Sequence, residues 1–340
     1  MGVDIGDIVT KETIELEHLN SRVIAVDAYN TLYQFLSIIR QPDGTPLMNS
    51  SGQITSHLTG LLYRTGKLIE NGIKPCYVFD GVPPEQKHET ILKRQATRTQ
   101  AKKDWEKALK EGKTEEASKY AQRTSRLTQE MVEQSKELLT ALGIPFVEAP
   151  SEGEAQASFM AEKGSVWAVG SQDFDSLLFG APVLVRNMTI TGKRKLPKKN
   201  IYITLKPESI RLEQALKELD LTREQLVELS LMIGTDYNPG IKGIGPKKAL
   251  EAVRAGKTLE QVYSENDVES PDFELLKALF LDPEVTEDYE LNWNEPDKEK
   301  TLELMCEKYD FSEERVAKTV DKMLEQSKIK GNQSRLDQYF

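Results

Sequence analysis

Cysteine is nearly missing from this chain. Its 340 residues contain two, Cys76 in an apolar run and Cys306 in a charged helical pattern, with no C-x-x-C pair and no histidine spacing suited to zinc. That excludes a disulfide framework and a structural zinc site, and a chain of this length buries a core without either. A reducing intracellular compartment is expected. Long apolar runs are missing too: the opening MGVDIGDIV lacks the basic start, apolar stretch and cleavage site of a secretory signal, and no later run approaches bilayer length. The expectation is a soluble protein, not secreted, with no membrane contact. No G-x-x-x-x-G-K-[ST] occurs, so ATP use is not suggested, and there is neither an internal repeat nor a low-complexity tract.

Positive charge is in deficit overall, 45 Lys and Arg against 55 Asp and Glu, a net charge of −10. Affinity for DNA comes largely from Lys and Arg displacing counterions from phosphates, so the average argues against a nucleic-acid partner. The average hides segregation. Residues 87–126 carry about twice as many basic as acidic side chains, TGKRKLPKK at 191–199 is a basic loop, and acids crowd between 260 and 310. A basic run is also compatible with a solvated helix face, so the charge pattern permits DNA contact without establishing it.

Three short apolar segments read as buried strands ending in acids: RVIAVD at 22–27, PCYVFD at 75–80 and SVWAVGSQD at 165–173. Helical patterns separate them, which predicts an α/β fold with a central sheet flanked by helices; ligands in such sheets sit at the carboxyl ends of the strands. Between Pro84 and Leu142 lies a long polar helical stretch whose first half has thin apolar periodicity, so it is expected to bury little and to project from the body.

Seven acids recur among apolar or small neighbours: Asp27, Asp80, Glu152 and Glu154 in PSEGEAQA, Asp173 and Asp175 in SQDFDSLLFG, and Asp236 in GTDYN. Gathered at one sheet edge, each pair near 4 Å repels by about 4 kcal/mol at an effective dielectric of 20, so the cluster needs neutralising. Hard divalent cations such as Mg2+ or Mn2+ do this through oxygen ligands, and two of them suit phosphodiester hydrolysis. Each acid also has a structural reading. Ser151 with Glu154 fits a capping box, and Asp27 or Asp80 after a strand fits a turn or helix cap. Their conjunction favours metal binding, because independent structural reasons would have to coincide at every site. The segment AVDAYNTLY superficially resembles a phosphatase D-x-D-x-T loop, but Tyr29 takes the second acid's place and the other acids would go unexplained.

GIKGIGPKKAL at 240–250 has the glycine-hydrophobic-glycine turn of a helix-hairpin-helix-like element. There Gly243 and Gly245 would let backbone N–H groups approach a phosphate, and Lys247 and Lys248 would add charge; an ordinary glycine-rich helix connection fits the same pattern. Tyr33 and Arg40, seven residues apart on one helix face, are candidates for base stacking and phosphate binding, with core packing the alternative for Tyr33. Lys87 and Arg94, also seven apart, could face a scissile phosphate or simply be solvated.

MGVDIGDIV, VDAYNTLYQFL, VFDGVPPEQK, APSEGEAQA, SQDFDSLLFG, GTDYNPGIKGIGPKKA and QSRLDQYF each resemble motifs of the flap endonucleases, archaeal in type, of the structure-selective 5′ nuclease superfamily of XPG and Rad type. They stand in that family's order across essentially the whole chain, with no departure at a ligand position. The resemblance implies a PIN-like nuclease core, a helical arch and a helix-two-turn-helix DNA-binding element. It divides the chain into an N-terminal nuclease region at 1–98, an arch connection at 99–115, an internal nuclease region at 116–258, a C-terminal helical region at 259–326 and a tail at 327–340. It implies two Mg2+, replaceable by Mn2+: Asp27, Asp80, Glu152 and Glu154 would serve one, Asp173, Asp175 and Asp236 the other, with Glu154 open to sharing. Lys87 and Arg94 become catalytic cations at the foot of the arch, residues 87–126 the arch through which a single-stranded 5′ flap passes, and Tyr33 a stacking partner for the base beside the cut. Gly2 would lie near the site, and K+ would be a further ligand of the Gly243–Gly245 turn.

The implied activity is a structure-specific 5′ flap endonuclease with 5′ to 3′ exonuclease activity, acting in Okazaki-fragment maturation and repair. Gln333, Leu336, Tyr339 and Phe340 fit Q-x-x-L-x-x-Y-F, a spacing that presents three apolar side chains to a pocket; the implied partner is the sliding clamp, proliferating cell nuclear antigen. The chain stops after this motif, where eukaryotic relatives typically continue, so a prokaryotic cytoplasm is expected rather than a nucleus; a monomer is expected as well. The competing reading is a non-catalytic, clamp-bound protein that only recognises DNA branches. It would leave the acids without a role.

Overall fold

The computed structural model describes residues 2–189, 193–195 and 202–336, and its frame is a seven-stranded sheet. After a two-residue strand β1 (Glu12–Thr13), the apolar runs form β2 (Val23–Asp27) and β3 (Lys74–Phe79), separated by helices α1 (Ala28–Ile38) and α2 (Ser56–Glu70). Side chains alternate across each strand. Ile24, Val26, Tyr77 and Phe79 enter one core, and Ala25, Cys76 and Val78 enter the core on the opposite face. Burial on both faces is why these strands read as unbroken apolar runs.

The chain continues through α3 (His88–Lys110), α4 (Thr114–Gln122), α5 (Gln129–Ala141), β4 (Phe146–Glu148), α6 (Gly153–Glu162), β5 (Ala168–Gly170), α7 (Asp175–Leu178) and β6 (Val183–Arg186). Strands β4, β3, β2, β5 and β6 lie side by side and parallel. A hairpin of β7 (Lys193–Lys195) and β8 (Tyr202–Thr204) precedes β9 (Glu208–Arg211), which pairs antiparallel with β6 and with β1. The sheet is thus mainly parallel, as expected, but 193–195, expected in a basic loop, is a strand.

Helices α8 (Leu212–Leu219), α9 (Arg223–Ile233), α10 (Pro246–Arg254), α11 (Leu259–Glu265) and α12 (Phe273–Leu281) surround a third core with Val3, Ile5 and Phe174. Then α13 (Lys298–Leu302) packs on α5 and on α14 (Glu313–Leu336), and α14 packs back on α2, where Val316, Val320 and Met323 are buried in the first core.

Position 98 lies inside the continuous helix α3, and strands from 1–98 and from 116–258 pair in one sheet. Two expectations need correction. The polar stretch does not simply project. Although α3 buries little beyond Ala101 and Ala108, α4 returns Ala117 and Ala121 to full burial, with Gly44 against Ala121 and the Trp105 indole donating to the Asp43 carbonyl at 3.4 Å. Finally, α14 continues as helix to Leu336, so the segment expected as a separate tail from 327 begins inside a helix of the body. Gln333 and Leu336 fall in its last turns; Tyr339 and Phe340 lie outside the described residues. Among the described residues no helix is long and apolar enough to cross a membrane.

Candidate metal centre and nucleic-acid interface

Parallel register brings the carboxyl ends of β2, β3 and β5 together, since Asp27 pairs with Val78 and Val26 with Gly170. Asp27 ends β2 and caps α1 by accepting the Asn30 N–H at 3.0 Å. Asp80 follows β3 and accepts the Gly153 N–H at 2.8 Å, which belongs to the first residue of α6. Glu152 and Glu154 flank that helix start. The capping-box reading of Ser151 does not hold: Glu152 occupies the cap position without a side-chain cap, and the Glu154 carboxylate turns to Ser171 at 2.6 Å and Ser176 at 3.0 Å.

Asp173 and Asp175 lie after β5. Asp173 accepts the Asn30 amide at 2.9 Å, and Asp175 accepts the Val3 N–H at 2.7 Å. Gly2 lies so close that a Cβ there would run into the Asp175 carboxylate. Asp236 comes from a tight loop after α9. Gly234 turns out of the helix at φ +109°, a conformation open to glycine, and Asn238 fixes the loop through Thr235 at 2.8 Å and the Leu231 carbonyl at 2.7 Å. All seven acids line one cavity of about 990 Å³.

Burial and mutual repulsion dominate its electrostatics. Asp27 is held well above the ordinary carboxylate range by burial and then by Asp80, against the Asn30 N–H; Glu154 is raised likewise by burial and then by Asp27 and Asp175. Burial and Glu152 push Asp80 up to about 6, and burial with Asp173 and Asp236 pushes Asp175 up to about 7. A carboxylate group this reluctant to ionise calls for positive charge.

Two side chains supply some of it. Lys87 Nζ lies 2.5 Å from Glu152 and 3.6 Å from Asp236, and Arg94 Nη2 donates to Asp236 at 2.6 Å. Burial works against the Lys87 charge, but Glu152 and Asp236 outweigh it and raise its pKa. Among the described residues no three acids are drawn together as ligands of one ion, and Lys87 bridges two of them. The all-oxygen, carboxylate-rich donor set nonetheless fits hard divalent cations.

Tyr33 also lines the cavity, its hydroxyl accepting from Arg98 at 3.2 Å with the guanidinium 6.0 Å from the ring centre. Arg40 does not line it. Helix α1 ends at Ile38, so Arg40 leaves the helix face shared with Tyr33, and its guanidinium binds the Leu36 carbonyl at 2.8 Å, the Gly44 carbonyl at 2.8 Å and Ser125 at 2.9 Å. Gly243, Gly245, Lys247 and Lys248 form a separate exposed turn and helix start. Gly243 has φ +87° and Pro246 opens α10; Lys248 Nζ reaches the Gly243 carbonyl at 3.0 Å.

Sequence reading missed Asn30, Ser171, Ser176 and Arg98, which hold or adjoin the acids and Tyr33. Asn30 could have been sought as the residue whose N–H Asp27 caps, and Ser171 from its place two residues before Asp173.

Two family models match the chain, the XPG N-terminal domain over residues 5–101 and the XPG I-region over 143–236. It is 54% identical over 340 residues, 100% of both chains, to flap endonuclease 1 of Methanococcoides burtonii. To flap endonuclease 1 of Pyrococcus furiosus it is 56% identical over 342 residues, covering 100% of this chain and 99% of that one. Its fold is similar to the solved flap endonuclease-1 from Methanococcus jannaschii, with TM-score 0.77 and 44% identity over 97% of this chain and 100% of the other. It is similar also to the catalytic core of Rad2 in complex with DNA substrate, with TM-score 0.72 and 27% identity over 95% and 100%.

Proposed function

The chain belongs to the flap endonuclease family of XPG-type nucleases, and on that premise we propose that its structure-specific flap cleavage is a Mg2+-dependent hydrolysis carried out in the carboxylate cavity. The observation that carries this reading is the convergence of seven acids on one cavity with Lys87 and Arg94 directed into it. Asp27, Asp80, Glu152 and Glu154 would hold one ion and Asp173, Asp175 and Asp236 the other, with Mn2+ able to substitute. When bound, the ions supply Lewis acidity and the charge that makes water a nucleophile.

The protein's own groups do the rest. The acids fix where charge can be accepted, and their anchors, the Asn30 and Gly153 N–H groups and the Val3 N–H, hold them before substrate arrives. Lys87 and Arg94 carry charge that can pass from Glu152 and Asp236 to a phosphodiester whose negative charge grows during reaction. Tyr33 presents an aromatic face at the same cavity, suited to the base beside the cut. The exposed turn at Gly243 and Gly245 with Lys247 and Lys248 would grip duplex phosphates, with K+ as a further ligand, and α3 and α4 would frame the passage of a 5′ single strand.

In this reading the internal division follows the arch: 1–98 and 116–258 as nuclease, 99–115 as connection, 259–326 as packing, and the tail from 327 as a tether to the sliding clamp. The enzyme works as a monomer on branched DNA in a prokaryotic cytoplasm, a setting supported by its archaeal relatives.

The test is Mg2+-dependent cleavage of an end-labelled double-flap DNA by wild type and Asp175→Ala, with binding measured alongside. Cutting near the flap base by wild type, and binding without cutting by the variant, is expected. Tight junction binding by folded wild type without any Mg2+-dependent cutting would make this a branch-recognition protein instead.

A further inference from the structure

Glu154 sits at the junction of the two carboxylate sets, and its surroundings are more specific than burial requires. The Ser171 hydroxyl donates to Glu154 Oε1 at 2.6 Å, and the Ser176 hydroxyl meets the same oxygen at 3.0 Å. Ser171 is 4% exposed and Ser176 0%, so water does not compete freely for either. A hydroxyl has one proton. The Ser171 proton goes to Glu154, its more distant neighbour Asp27 Oδ2 lying at 3.4 Å, while the Ser171 oxygen accepts the Asp173 N–H at 3.2 Å. One serine therefore touches Glu154, Asp27 and Asp173, residues drawn from both sets.

The second serine is fixed from another direction. Ser176 lies in α7, the helix that Asp175 opens, and its carbonyl lies 3.2 Å from the Ser158 hydroxyl of α6, which donates to the Glu154 carbonyl at 2.6 Å, so α6 and α7 are packed closely together. The positions of the two hydroxyls are thus set by the strand end and by the α6–α7 contact, independently of any ligand.

We propose that Ser171 and Ser176 are positioning residues that engage Oε1 of Glu154 and so commit Oε2 to the metal ions. A carboxylate free to rotate would present either oxygen, or both, and would share its charge unevenly between two ions. Two donors on one oxygen remove that choice before a metal arrives. Outer hydrogen-bond partners of metal ligands typically change metal affinity 10- to 100-fold when removed. The inference rests on the metal reading above.

The experiment is Mn2+ binding without DNA, followed by the free-ion paramagnetic resonance signal, for wild type, Ser171→Ala, Ser176→Ala and the double variant. Single-turnover flap cleavage across the same Mn2+ series and melting in chelator run alongside. Each single change should raise the Mn2+ midpoint by about 10-fold and the pair by about 100-fold. Melting in chelator should stay near wild type, and cleavage rates should converge at saturating Mn2+. A double variant with a midpoint within about twofold of wild type overturns the proposal, as does a rate loss that saturating Mn2+ leaves in place. If wild type itself binds no Mn2+, the metal reading falls and takes the proposal with it, an outcome distinct from unchanged binding in the variants.

Discussion

Arg94 reaches from the second turn of α3 to Asp236, Nη2 to Oδ1 at 2.6 Å, and so joins the foot of the arch to the loop after α9. With Lys87 between Glu152 and Asp236, the arch supplies counter-charge to a carboxylate cluster that burial has made hard to ionise. The position of the arch and the charge state of the site are therefore coupled.

Removing these cations should slow chemistry far more than binding. Lys87→Ala and Arg94→Ala are each expected to lower single-turnover flap cleavage by about 100- to 1000-fold, the cost of losing one preorganised donor to a developing anion. DNA affinity should change only a few-fold. A loss confined to affinity, with the single-turnover rate at saturating enzyme intact, would show that they only recruit DNA.

Tyr33 separates stacking from hydrogen bonding. Its hydroxyl accepts from Arg98, so Tyr33→Phe loses that bond but keeps the ring, whereas Tyr33→Ala loses both. Stacking on a base is worth about 1–3 kcal/mol, so the alanine variant should fall about 5- to 150-fold in kcat/KM and the phenylalanine variant much less. Equal losses would assign the effect to the Arg98 contact.

His57 predicts a pH effect away from the site. It is fully buried on α2, its Nε2 is 2.9 Å from the Gln134 side-chain oxygen, and its Nδ1 has no partner. Burial lowers its pKa to about 4, against 6.5 for a solvated imidazole. The unfolded chain takes up the proton first as pH falls. The neutral imidazole's contribution is thus complete above pH 6.5 and is lost between 6.5 and about 4, at most about 3 kcal/mol. Urea unfolding of wild type and His57→Leu across this range should show a shallower pH slope in the variant. Parallel slopes would mean that the folded state accommodates the charged ring.

The tail should act only through its partner. Tyr339→Ala with Phe340→Ala should abolish stimulation by the sliding clamp while basal flap cleavage stays within about twofold, since apolar anchors in such peptides act by filling a partner's pocket. Persistent stimulation would locate the clamp contact elsewhere on the chain.

What the sequence determined by itself is local and compositional. Strands buried on both faces leave continuous apolar runs, so β2 and β3 were legible, as was the placing of acids at their ends. The doubled spacings Glu152-x-Glu154 and Asp173-x-Asp175, read with the remaining acids, singled out side chains that line one cavity. Tertiary structure decided how these groups are used. Asp27 proves to be a helix cap as well as a member of the acid cluster, because its register beside β3 and β5 puts it at both places. Arg40, in a sequence pattern that promised a shared face with Tyr33, instead ties the Gly44 turn to Ser125, since α1 ends two residues earlier. Ser171 meets Glu154 across 17 positions and Arg94 meets Asp236 across 142. Periodicity reports which face a residue shares with its near neighbours, but contacts at such separations depend on how strands order in the sheet and where helices end, and those are settled only when the whole chain packs.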